Sequence, residues 1–210
     1  MKNDKAHLIA FVGVMFALIF VLFFLEGTVL AGVKITACIL SLPVAIALSV
    51  YDDWKKSFIG GTLLGLVSCI FCIIFSSAYI FYANPLISVL PRTFIGVTAY
   101  WTYRGISKLL NKVKNKFVSE TIPAAVAGIV GSVTNTVLYL LAVNIWAGDA
   151  MGALTAILGV AVTIYFPIEL AACAVLVPAY TAALKKVNRK FIAKPVKTDT
   201  DKGVVNDNLS

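Results

Sequence analysis

Three residues carry most of the chemistry available to this chain: Arg92, Asn135 and Glu169, each set inside a long apolar stretch. A charge placed at the centre of a membrane helix costs roughly 2.5–3.5 kcal/mol on insertion scales, so it is kept mainly where it meets a partner or a ligand. Two readings fit the trio. In one, Arg92 pairs with Glu169 and Asn135 adds an interhelical hydrogen bond, so the cluster is glue. In the other, the three line a pocket and Arg92 receives an anionic group. Arg92 is also close enough to a helix end to reach outer headgroups.

The chemistry on offer is recognition rather than bond breaking. His7 is the only histidine, and the sequence has no P-loop, no H-E-x-x-H pair and no G-x-S-x-G elbow. No catalytic residue, metal-ligand set or cofactor is therefore expected. Cys69-x-x-Cys72 has the spacing of a metal or redox pair. It lies in an apolar run without a neighbouring His or acid, and reads as two small buried side chains. Gly60-Gly61 and Gly65 lack the Lys that follows phosphate-loop glycines, and read as points where helices approach closely.

The elements that must position the trio are set by composition. Sixty per cent of the residues are apolar and 13% charged, against about 25% charged in soluble domains, and the mean hydropathy is +0.93. Crossing roughly 30 Å of hydrocarbon takes about 20 apolar residues. Six such runs are predicted, at residues 8–25, 33–50, 58–78, 86–103, 122–146 and 161–184. The first is not a signal peptide: it is long for one, lacks a small-x-small cleavage site and is followed by five more. Nothing alternates with period two, which excludes a β-barrel.

Charge then orients the bundle. Of 18 Lys and Arg residues, all but Lys34 and Arg92 fall on one side of this six-pass arrangement. The positive-inside rule makes that side cytoplasmic. The expected fold class is an all-α integral membrane protein of six transmembrane helices with both termini cytoplasmic. Residues 1–190 would form the transmembrane domain and 191–210 a disordered cytoplasmic tail. The net charge of +8 reports topology and contact with anionic lipid. The basic run at 104–116 is an inside loop, and no nucleic-acid partner is expected. At 1.5 Å per residue, Arg92 lies about 9 Å below the outer end of the fourth helix. Asn135 lies about 20 Å, and Glu169 about 24 Å, from the inner ends of the fifth and sixth. The three thus share the outer half.

Several stretches resemble one family. Asn84-Pro85-Leu86-Ile87-Ser88-Val89-Leu90-Pro91-Arg92, followed by Gly96, resembles a block of the substrate-binding S components of energy-coupling factor (ECF) vitamin transporters. Gly131-Ser132-Val133-Thr134-Asn135-Thr136 resembles their fifth-helix stretch. Ile168-Glu169, Val177-Pro178-Ala179 and Lys185 resemble their sixth helix. Gly13-x-x-x-Ala17 matches the small-residue pattern that the family uses against its partner. The resemblance covers most of residues 8–186 and looks most like the pantothenate-type branch. One departure bears on the ligand: family members often carry Asn four residues before the sixth-helix Glu, where this chain has Tyr165 and then Phe166-Pro167.

The resemblance implies a protein of the bacterial plasma membrane that binds a vitamin from outside and has no ATPase of its own. Its implied partners are a scaffold membrane subunit and two cytosolic ATPases, and its implied motion is a toppling of the whole subunit in the lipid bilayer. Arg92, Asn135 and Glu169, with Asn84, Ser88 and Tyr82, become the expected substrate site. Ala10, Gly13 and Ala17 become the expected partner face, although such a face in any bundle commonly packs internally. Tyr82 and its aromatic neighbours in the outer loop that joins the third and fourth helices serve either as a lid or as interface anchors. Folate and cobalamin S components share parts of these motifs. A stand-alone carrier, an intramembrane enzyme using Glu169 and a structural membrane protein are the readings from other classes.

Overall fold

The computed structural model describes residues 2–29, 39–51, 54–75, 84–146, 159 and 161–192. Its long elements are six α-helices: α1 (Lys2–Val29), α2 (Ser41–Tyr51), α3 (Trp54–Phe75), α4 (Pro85–Leu109), α5 (Lys116–Trp146) and α6 (Phe166–Ile192). A short 3-10 turn, Leu110–Lys112, closes α4, and no strand occurs among the described residues. Each of the six predicted runs corresponds to one helix. The ends differ because α1 and α5 continue past the hydrocarbon run into polar sequence, starting at Lys2 and Lys116. α6 runs through Ile192, two residues past the expected end of the transmembrane domain at residue 190. Three windows are long and apolar enough to cross a membrane: Ser57–Ile74, Phe117–Trp146 and Val162–Lys186. The apolar parts of α1 and α2 are shorter, Val12–Thr28 and Ser41–Val50.

The sixth predicted run is divided. Ala161–Tyr165 is wound as a π-helix before α6 begins. Pro167 explains the break, because it has no N–H to donate back and its ring crowds the carbonyl four residues earlier. The wider π-turn relieves that conflict.

α2 is the axis of the bundle. Every residue from Ser41 to Val50 is buried, and the helix touches all five others. α1 packs on α2 and α3 through Met15, Ile19 and Phe23, which recur every four residues and so share one face. α6 lies against α5 and α2.

α3 and α4 meet backbone to backbone. A Cβ on Gly65 would stand 2.6 Å from Val89 Cα, and one on Gly61 would collide with the Arg92 carbonyl oxygen. Gly96 on α4 lies in the same way against the Ser57 carbonyl of α3. Thr62 Oγ1 and Thr93 Oγ1, 3.3 Å apart, add a hydrogen bond across the seam. Glycines at a membrane-helix crossing let the backbones approach until van der Waals contact replaces the missing hydrophobic drive. The expectation for Gly61 and Gly65 is met, and the seam runs directly behind Arg92.

Candidate functional site

Arg92 projects from α4 into the protein and is only 5% exposed. Its Nη1 donates to the Ser88 carbonyl at 2.9 Å and to Ser88 Oγ at 3.1 Å, one turn back on the same helix. Ser88 Oγ in turn donates to the Gly65 carbonyl of α3 at 3.2 Å. The guanidinium is therefore aimed by its own helix and by the glycine seam.

Glu169 sits in the first turn of α6 and Asn135 on α5, both buried. Glu169 Oε1 accepts from Ser132 Oγ at 3.0 Å and from Asn135 Nδ2 at 3.4 Å. Ser132 and Asn135 are three residues apart, hence on one face of α5. The second carboxylate oxygen, Oε2, accepts no hydrogen bond among the described residues. Among the described residues the hydrogen bonds of Arg92 and of Glu169 run to different partners. Asn135 and Ser132 join α5 to α6 through Glu169.

Two members of the cluster have no counterpart in the sequence reading. Ser132 was available as the residue one turn before Asn135 on the same face. Glu26 was hidden by the end of the first apolar run, which put it in a loop. It belongs instead to the last turns of α1 and is 7% exposed. The N–H groups of Leu40 and Ser41 donate to its Oε1, and Ser41 Oγ donates to Oε2 at 2.6 Å. A carboxylate thus caps the start of α2, where the helix dipole favours negative charge.

The other expected residues divide as follows. Asn84 is the N-cap of α4: its Oδ1 accepts from the Leu86 N–H at 3.0 Å, and Pro85 follows at the first helical position. Ser88 is buried and engaged with Arg92 and Gly65. Tyr82 lies outside the described residues. On α1, Gly13 and Ala17 are exposed, away from the Met15–Ile19–Phe23 stripe. A Cβ on Gly13 would meet nothing within 4 Å. The side chain of Ala10 is outside the description. Cys69 and Cys72 are thiols buried on α3. Among the described residues no group of His, Cys, Asp and Glu is placed to hold a metal.

The chain is similar to the "Pantothenic acid transporter PanT" of Lactococcus lactis subsp. cremoris (strain MG1363), with 24% identity over 204 residues, 89% of this chain and 97% of that protein. No family model matches the chain, and no solved structure matches it.

Proposed function

We propose that this chain is the substrate-binding S component of an energy-coupling factor importer, and that it captures pantothenate from outside the cell. The observation that carries this reading is the buried Arg92, held by Ser88 on its own helix, in a bundle that also buries the Glu169 carboxylate. A buried guanidinium, and a buried carboxylate with one oxygen that accepts no hydrogen bond among the described residues, suit a ligand with a carboxylate at one end and hydrogen-bond donors at the other. Pantothenate has that form. The full-length similarity to a pantothenic acid transporter supports the choice and favours transport over catalysis.

In this reading six helices cross the bacterial plasma membrane with both termini cytoplasmic, as the one-sided distribution of Lys and Arg supports. Residues 1–190 act as one transmembrane substrate-binding unit, and 191–210 form a cytoplasmic tail. Arg92 takes the substrate carboxylate, while Asn135 and Oε2 of Glu169 take its hydroxyl and amide groups. Ser88 and Asn84 hold α4 in place, and Tyr82 closes over the ligand. Energy comes from partners, since the sequence has no P-loop. The exposed Gly13–Ala17 face of α1 docks on a scaffold membrane subunit bearing two cytosolic ATPases, and the subunit topples to release its cargo.

Calorimetric titration of the purified protein with pantothenate, folate and cobalamin tests the reading. Pantothenate is expected to bind, and Arg92→Ala is expected to lower its affinity by about tenfold to a hundredfold, the loss of a hydrogen-bonded charge pair. Binding of none of the three, or an unchanged affinity in Arg92→Ala, refutes it.

A further inference from the structure

A cavity of about 290 Å³ opens between the start of α5 and the last turns of α6. Phe117, Glu120 and Thr121 of α5 and Pro178, Ala182 and Lys185 of α6 stand in its walls. Lys185 lies roughly 24 Å along α6 from Glu169, at the rise of an α-helix, so the cavity is remote from the candidate substrate site. Two windows apolar enough to cross a membrane end here: Phe117 opens one and Lys186 closes the other. That level is where hydrocarbon gives way to headgroups.

The cavity is amphipathic. Phe117, Pro178 and Ala182 give it an apolar wall, while Lys185 and Glu120 stand ion-paired at 3.3 Å. The pair does not use up either group. An ammonium has three N–H donors. Lys185 gives one to Tyr103 Oη at 3.2 Å and one to Glu120 Oε2 at 3.3 Å. The third meets no acceptor among the described residues, and neither does Glu120 Oε1 meet a donor. Both side chains are partly open, 29% and 38% exposed, so a ligand can reach them. The surroundings favour an anion: residues 103–121 and 178–186 carry seven Lys and Arg and one acid, Glu120.

We infer that this cavity is a binding site for an anionic phospholipid with a hydroxylated headgroup, of the phosphatidylglycerol class. A phosphate oxygen takes the remaining Lys185 N–H, a charge-assisted hydrogen bond. A headgroup hydroxyl donates to Glu120 Oε1, and the first part of an acyl chain lies along Phe117, Pro178 and Ala182. The apolar wall and the depth at the hydrocarbon edge favour a lipid over a soluble anion. In the proposed topology this end is cytoplasmic, where anionic lipids attract basic segments. The inference goes beyond the proposed function, and no part of it depends on the substrate.

Native mass spectrometry of the purified protein in detergent tests the site. Titration with phosphatidylglycerol or phosphatidylcholine of matched chains reads a dissociation constant for each. The wild type is expected to favour phosphatidylglycerol by about tenfold, the size of one hydrogen bond to a charged group. Lys185→Gln is expected to bring the ratio near one. Lys108→Gln removes an exposed cation outside the cavity and is expected to leave the ratio unchanged. Glu120→Gln frees the ammonium from its partner and is expected to keep or enlarge the preference. Ala182→Phe fills the cavity from an exposed position and is expected to weaken both lipids together. A wild-type circular dichroism spectrum checks the fold of each variant.

Equal constants for the two lipids in the wild type overturn the inference, and so does a preference that survives Lys185→Gln. Loss of the preference in Lys185→Gln and Glu120→Gln alike reduces the pair to a latch between helices, which also overturns it. Displacement of the lipid by excess glycerol 3-phosphate, which has the headgroup chemistry without the chains, overturns the assignment to a lipid. None of these outcomes touches the proposed function, which stands or falls by the pantothenate titration.

Discussion

Gly65→Ala is the smallest perturbation that should reach the candidate site without touching it. The added methyl would stand 2.6 Å from Val89 Cα, 3.1 Å from the Ser88 carbonyl oxygen and 3.2 Å from the Val89 carbonyl oxygen. All three obstacles are backbone atoms of α4, so no side chain can rotate aside. Ordinary contact begins near 3.4 Å, and the two helices must part by about 0.8 Å at that level. Overpacking of this kind typically costs about 1–3 kcal/mol, which in a chain of this size lowers the midpoint of thermal unfolding by roughly 3–10 °C. The displacement falls on Ser88, whose hydroxyl links Arg92 to the Gly65 carbonyl. Ligand affinity should fall as well, by about tenfold if one hydrogen bond that orients the guanidinium is lost.

Scanning fluorimetry in detergent reads the first effect and calorimetric titration the second. Gly13→Ala is the control, because its methyl meets nothing within 4 Å. Alanine also favours a helix interior over glycine by about 1 kcal/mol, so this variant should be no less stable than the wild type. If Gly65→Ala matched Gly13→Ala in both assays, the close crossing of α3 and α4 would have no part in holding Arg92.

Asn84→Ala should cost about 1 kcal/mol in stability through loss of the α4 cap and leave pantothenate affinity unchanged. A large fall in affinity with the fold intact would make Asn84 a ligand contact instead. Gly13→Trp or Ala17→Trp should abolish transport in vesicles that contain the complete importer, while binding to the isolated subunit persists. Equal loss of both would show that this face of α1 serves the protein's own packing.

Much of the architecture was legible because crossing a bilayer demands long apolar runs, and each run overlaps one long helix, although the described part of the second begins only near Ser41 and the sixth opens as a π-helix. The ends were not legible. Helices such as α5 continue into sequence that hydropathy treats as loop, and the break before Phe166 depends on how Pro167 meets the preceding turn. Arg92, Asn135 and Glu169 could be picked out because charge and amide are rare in such runs. Their partnerships could not, because helices that are apolar on most sides give little sign of which face turns inward. Arg92 bonds to Ser88 on its own helix, and Glu169 to Ser132 and Asn135, where a simple matching of opposite charges joins Arg92 to Glu169. Glu26 escaped notice for the same reason that it matters: it stands where apolar sequence gives way to polar, and only the return of α2 buries it.

The central place of α2 has a consequence for biogenesis. It is the second helix to leave the ribosome, yet it is enclosed partly by α4, α5 and α6, the last of which ends some 140 residues later in synthesis. During translation its faces must be sheltered by lipid or by the insertion machinery, and its final neighbours replace that shelter only after the sixth helix has been released. The order in which this chain is made is therefore not the order in which it is packed. Truncation before Phe166 would leave α2 exposed along the side that α6 covers, so a nascent chain halted there is a natural substrate for membrane quality control.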